Sequence, residues 1–257
     1  MGTVNRNMRV LGDKVADINN IFTNGYKGKS TTFHETVNGL KTIERRDLSD
    51  GSSKKTNREL DFAIEGKGYF EIEMPDGSYA YTRDGSFSIG PNGDLISSQG
   101  YPVVLHSPDS EYIAKNYDDI ASGTTSAFDV GVGAGKSFIP AGSTIGIDES
   151  GVLQTAEGQV IGKISIVNFT NPDGLKDIGD NLYLATGQCG EIQEAKIGGL
   201  NNQTKVRQGY IESANVSILN NMSSVVQLNT AIKSEMKIIK MLDQMQENLT
   251  STITRNL

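Results

Sequence analysis

Tryptophan is absent from this chain of 257 residues, cysteine occurs once and histidine twice. A lone cysteine, Cys189, excludes an intrachain disulfide framework and any cysteine-rich metal site. It lies between Gln188 and Gly190, with no predicted helix N-terminus or basic neighbour to make the thiol a nucleophile. His34 and His106 stand in loop-like stretches without a cysteine or spaced carboxylates nearby, and a zinc site needs three or four ligands. Both are expected to be solvent-exposed, and neither a metal nor a cofactor is implied. No window approaches the roughly 18 apolar residues of a membrane span. Met1 to Val10 alternates polar and apolar residues, which is no Sec-type leader, so export would proceed without a cleaved signal peptide. Positive charge is also scarce: 24 basic against 31 acidic residues leave a net charge of −7, which excludes the concentrated basic face of a nucleic-acid binder.

What is present is periodicity at the two ends. Val4, Met8, Leu11, Val15, Ile18 and Phe22 follow one another at intervals of three or four, an apolar stripe along one helix face. Asn24 and Gly25 are expected to close that helix, because both residue types tolerate the left-handed conformation. From Ser213 to Ile253 there is neither glycine nor proline. Val225, Leu228, Ile232, Met236, Ile239, Leu242, Met245 and Leu249 recur there at the same spacing. A helix of that length spans roughly 60 Å, more than a compact domain of this size can cover. The two stripes predict that the chain ends pair as a coiled coil, and that the uncovered part of the longer helix meets neighbouring molecules.

Between the ends the texture changes to short alternating runs such as Phe70 to Met74, punctuated by Asp76-Gly77, Asp84-Gly85 and Asn92-Gly93, pairs suited to tight turns. The expected fold class is α+β, with a discontinuous β-rich domain between the terminal helices. The predicted segments are an N-terminal helix over 1–27, an extended connector with one strand over 28–59 and the β-rich domain over 60–186. That domain carries a Ser/Asp/Gly-rich insertion at about 105–142. A second connector over 187–212 and the C-terminal helix over 213–257 complete the chain.

Four ordered stretches carry a resemblance. Asp17 through Lys27, with Asn20, Thr23, Gly25, Tyr26 and Lys27 at its turn, is the first. Leu60 through Phe70 continues into Pro75 through Phe87 and Gly100 through Val103. Asn168 through Leu175 is followed by Gly179 through Tyr183, and Gln208 through Met222 leads into the last helix. Together they resemble the bacterial flagellar basal-body rod and hook protein family, most closely its distal-rod branch. The resemblance implies a structural, non-enzymatic subunit that forms a helical homopolymer with itself and with other rod and hook subunits. It also implies delivery by the flagellar type III export apparatus to the extracytoplasmic axial structure and the transmission of torque in motility. The N-terminal helix is shorter than the family's by about two turns, which implies a weakened coil or a start farther upstream. Only Ala231 survives from the family's Gln-Arg-Ala-Tyr-Glu run at 229–233.

Blander readings stand beside these. Gly66-Lys67-Gly68 lacks the following helix that a phosphate-cradling loop needs, and Arg83 with Asp84 reads as a surface ion pair or a subunit contact. A proximal-rod or hook subunit is the alternative within the family. A secreted filament or adhesin component would share the strands without pairing its ends. A carbohydrate-active β-enzyme would need two carboxylates about 5–9.5 Å apart in a cleft.

Overall fold

The computed structural model describes residues 2–36, 39–106, 139, 142–148, 151–195, 197 and 204–255. The fold is α+β, and the chain divides into two compact units. One comprises Met1–Ile21, Lys27–Leu48 and Val216–Leu257; the other comprises Phe22–Tyr26 and Ser49–Asn215.

The first unit contains helix α1 (Gly2–Asn19), strands β1 (Lys29–Thr36) and β2 (Gly39–Arg46), and helix α2 (Ile218–Arg255). At 38 residues α2 spans about 57 Å, and no helix among the described residues is long and apolar enough to cross a membrane. Helix α1 stops short of the expected position, where the Ile21 N–H turns to the Ile18 carbonyl at 3.4 Å, the tighter bond of a last turn that begins at Asn20. Both the backbone N–H and the side-chain amide of Asn20 donate to the Ala16 carbonyl, at 3.1 and 2.9 Å. The segment expected as a connector instead holds the antiparallel hairpin β1–β2, in which Thr32 faces Ile43 and Phe33 faces Thr42. β-Branched and aromatic residues suit a pleated surface, and β1 rests on α1. The Asp47 N–H closes the base of the hairpin on the Gly28 carbonyl at 2.8 Å. His34 is exposed, but it lies in β1 rather than in a loop.

In the second unit the strands are β3 (Ser53–Lys55), β4 (Phe62–Glu65), β5 (Tyr69–Glu73), β6 (Tyr79–Thr82), β7 (Ser88–Ile89), β8 (Leu95–Ile96) and β9 (Leu105–His106). They continue with β10 (Ile145–Ile147), β11 (Val152–Thr155), β12 (Val160–Ile164), β13 (Ile166–Phe169), β14 (Lys176–Gly179) and β15 (Leu182–Leu184). The last are β16 (Ile192–Glu194), β17 (Lys205–Gln208) and β18 (Tyr210–Glu212). The largest sheet runs β14-β15-β6-β5-β13-β16, a second runs β10-β11-β12-β9, and β17 pairs with β4 and β18 with β3.

The alternation of strand side chains decides which face each residue covers. Phe70 and Ile166 join a mixed aliphatic and phenylalanine core with Phe62, Phe87, Leu153 and Ile164. Their neighbours Tyr69 and Val167 join an aromatic cluster with Tyr81, Phe169, Tyr183 and Cys189. There the Tyr81 and Phe169 rings meet edge to face at 4.9 Å. Asp180 and Asn181, both with positive φ, form the tight turn joining β14 to β15.

Two expectations need correction here. The stretch 187–212, expected as a connector, supplies β16, β17 and β18, because Lys205 and Arg207 alternate with Val206 and Gln208 along the partner strand β4. His106 lies in β9, paired with Lys163 of β12. The expected insertion at 105–142 lies outside the described residues over 107–138 and 140–141; its flanks, Leu105 and Ile139, are core residues.

Candidate functional site

Within the first unit α1 packs along α2. Their direction follows from two polar contacts: Asn7 donates to Glu235 at 3.1 Å and Asn221 donates to Asp17 at 3.5 Å. Numbers rise on one helix as they fall on the other, so the pair is antiparallel. Val4 and Ile232 are buried in the seam, while Leu11, Ile18, Val225, Leu228 and Ile239 are half-buried. Met8, Val15 and Met236 of the expected stripes stand mostly outside it. Val4 and Asn5 end the coverage opposite Lys233 to Lys240, where they line an apolar groove of about 530 Å³.

Past that groove α2 has no cover within its unit. Every residue from Lys240 to Ser251 is exposed, a stretch of roughly 18 Å. Leu242, Met245 and Leu249 are 58%, 60% and 62% exposed. Ile238 and Met241, outside the expected stripe, are also open, and a second exposed run, Leu219, Met222 and Val226, lies near the start of α2. That second run is itself spaced by three and four, so the same periodicity applied to the opposite face would have found it.

The turn motif is divided between the units. Asn20 and the buried Lys27 belong to the first, whereas Thr23, Gly25 and Tyr26 belong to the second. Phe22, expected on the helical stripe, lies beyond α1 and is 92% exposed. In the second unit the Gly25 N–H donates to the Glu212 carbonyl at 2.7 Å, and the Asn215 N–H donates to the Tyr26 carbonyl at 3.2 Å. The Asn181 side chain donates to the Asn24 carbonyl at 2.6 Å. Gly25 has φ of +65°, and a Cβ there would sit 2.5 Å from the Arg83 carbonyl carbon, so glycine is required twice over.

Arg83 is the centre of this arrangement, and it is buried rather than part of a surface pair with Asp84. Its guanidinium donates to the Glu212 carboxylate at 3.3 Å, to Asp50 at 3.4 Å and to the Gly66 carbonyl at 2.8 Å, and it lies over the Tyr69 ring. Glu212 in turn accepts the Gly51 N–H at 2.8 Å. Asp84 turns the other way, accepting from Ser98 at 2.7 Å and from the Ser86 N–H at 3.1 Å. Burial raises its carboxyl above the ordinary aspartate value, against the pull of those hydrogen bonds.

One cluster has the composition of a hydrolytic triad. Ser165 donates to Glu71 at 2.7 Å, and His106 Nε2 lies 3.1 Å from the same hydroxyl. The carboxylate therefore holds the serine itself, not the far nitrogen of the ring, which is where it would orient a base. Ser165 is also fully buried, so no substrate reaches it. The neighbouring Tyr81 hydroxyl is pushed up to about 12, by burial first and then by the Glu71 charge. Among the described residues no group of His, Cys, Asp and Glu is placed to hold a metal.

Residues 63–127 match the family model described as the flagellar hook protein FlgE/F/G D1 domain. The chain is 36% identical over 203 residues to the flagellar basal-body rod protein FlgG of Borreliella burgdorferi, covering 78% of this chain and 67% of that protein. Against FlgG of Buchnera aphidicola subsp. Baizongia pistaciae it is 30% identical over 271 residues, covering 95% and 92%. Against FlgG of Bacillus subtilis it is 27% identical over 264 residues, covering 93% and 90%. The chain belongs to the flagellar basal-body rod protein family and is a structural subunit of the rod.

Proposed function

We propose that this subunit polymerises through its terminal helices and carries torque along the rod. In this reading α1 and α2 form a short antiparallel coiled coil, and the uncovered end of α2 packs on neighbouring copies. The contact joins two different surfaces, and where its rotation does not close into a ring such a contact generates an open helical polymer. Torque is shared among many modest contacts of this kind, with other rod and hook subunits at the ends of the polymer. The subunit reaches the periplasmic axial structure through the flagellar export apparatus and performs no catalysis.

The observation that carries this reading is the exposure of Leu242, Met245 and Leu249 on a regular helix. Burying an apolar side chain stabilises by about 1.5–3 kcal/mol, so covering three that are largely open is worth on the order of 3–5 kcal/mol per contact. Removal of residues 241–257 tests it. The truncated chain is expected to stay monomeric in sedimentation under conditions where the full chain forms rods, with the β-rich unit unfolding at an unchanged urea concentration. Rods formed by the truncated chain would refute the proposal.

A further inference from the structure

We propose that Asn7 and Glu235 are positioning residues that fix the register of α1 against α2, and thereby how much of α2 is left open to neighbours. The apolar residues of the seam cannot do this alone. They recur on α2 every three or four positions from Val225 to Leu249, so a slide of one turn brings apolar against apolar again. The polar rung is different. Asn7 donates to Glu235 Oε1 at 3.1 Å, between the buried Val4 and the half-buried Leu11 on α1 and between Ile232 and Ile239 on α2.

Sliding α2 by three or four residues in either direction would face Asn7 with Ala231, Ile232, Ile238 or Ile239. A slide of seven would face it with Leu228 or Leu242. Each alternative sets the half-buried Asn7 amide against an apolar side chain in place of the Glu235 carboxylate, a loss that polar groups shielded from water resist. One offset alone satisfies the rung.

The pair also lowers stability where it sits. The second carboxylate oxygen, Glu235 Oε2, is buried with no hydrogen-bond partner. A polar residue at a seam position specifies register and partner at a cost in stability, and an orphaned oxygen in an otherwise apolar interface fits that role better than one of adhesion. The far end of the seam is consistent with it: Asp17 is buried, accepts the Lys29 N–H at 3.0 Å and meets Asn221 of α2 at 3.5 Å. The rungs are ten residues apart on α1 and fourteen on α2, so a uniform slide of either helix breaks both contacts.

The test is a distance measurement in the full chain, and it does not require polymerisation. Spin labels at Asn5→Cys and Lys240→Cys, in a Cys189→Ala background, flank the groove at the end of α1. The unaltered rung is expected to give one narrow distance. With Asn7→Leu and Glu235→Leu together, a second, discrete distance is expected from helices slid axially by about one turn, ~5.4 Å, while the urea midpoint is kept or raised. Restoring polarity with Asn7→Gln and Glu235→Gln is expected to return the single distance. A single native distance in the leucine pair would overturn the proposal. If the leucine pair does not fold, Asn7→Ala with Glu235→Ala carries the same expectation, and a single native distance there would overturn it equally. A role confined to stability would lower the urea midpoint without creating a displaced, discrete population.

Discussion

Replacing Arg83 with methionine probes the junction that holds the turn at Gly25. Arg83 and Glu212 are 3% and 2% exposed at the side chain and lie 3.3 Å apart. Methionine fills similar volume but removes the positive charge, leaving Glu212 as a buried carboxylate with the Gly51 N–H at 2.8 Å as a remaining donor. Breaking a buried pair on one side costs about 3–5 kcal/mol, against about 0–1 kcal/mol for an exposed pair. For a urea dependence of about 1–3 kcal/mol per molar, the midpoint should fall by roughly 1–5 M. With nine tyrosines and no tryptophan, the assay is near-ultraviolet circular dichroism of the tyrosine bands. The double variant Arg83→Met, Glu212→Leu should recover most of the loss, because removal of both charges ends the desolvation penalty. A cost below about 1 kcal/mol for Arg83→Met, or no recovery in the double variant, would refute the reasoning.

Further outcomes follow from the same geometry. Gly25→Ala combines a left-handed backbone with a Cβ 2.5 Å from the Arg83 backbone, so a loss of about 2–5 kcal/mol is expected by urea titration. Asp84 has a carboxyl value raised in the folded state, so its contribution to stability is fully present below the ordinary aspartate value of 3.8 and is lost as pH rises through the raised value. Asp84→Asn should therefore gain on the parent chain as pH rises through that window, and an invariant difference between the two would count against burial as the cause. Tyr81 ionises in the fold only near 12, so the parent chain should lose stability as pH climbs from 10 through 12. Tyr81→Phe should flatten that part of the profile measured by thermal melts.

How much was legible in the sequence depended on whether the signal was local. Helix α2 was legible because a run without glycine or proline carried one clear period, and the turns at Asp76-Gly77 and Asn92-Gly93 were legible, both glycines taking positive φ, whereas Asp84-Gly85 forms no such turn. The end of α1 was not, because the backbone tightens after Asn19 to the bond from Ile21 to the Ile18 carbonyl, a change that side-chain periodicity does not register. Only one strand was expected where the hairpin β1–β2 lies, since its threonines and charges give no sustained alternation and β1 packs on α1 rather than on a sheet. Strand β17 was hidden by its own charges, Lys205 and Arg207, which point outward from the pairing with β4.

At the terminal helices the sequence shows periodicity and not pairings. The stripes of both ends were visible, yet the antiparallel direction rests on Asn7 and Glu235, 228 positions apart. Arg83 and Glu212 are separated by 129 positions, and each alone looks like an ordinary charged residue near a strand. Motifs such as the one around Arg83 mark where a charge is needed; the fold alone supplies the partner.

Hydrogen exchange of α2, read by mass spectrometry in the free chain and in assembled rods, tests the account most directly. Helical amides without tertiary cover open at low free energy, so residues 240–251 should exchange fast in the free chain while the segment around Ile232 exchanges slowly. On assembly, protection should rise across residues 240–251 and at Leu219 to Val226. Unchanged exchange over 240–251 in rods would mean that the open stripe is not where copies of this chain meet.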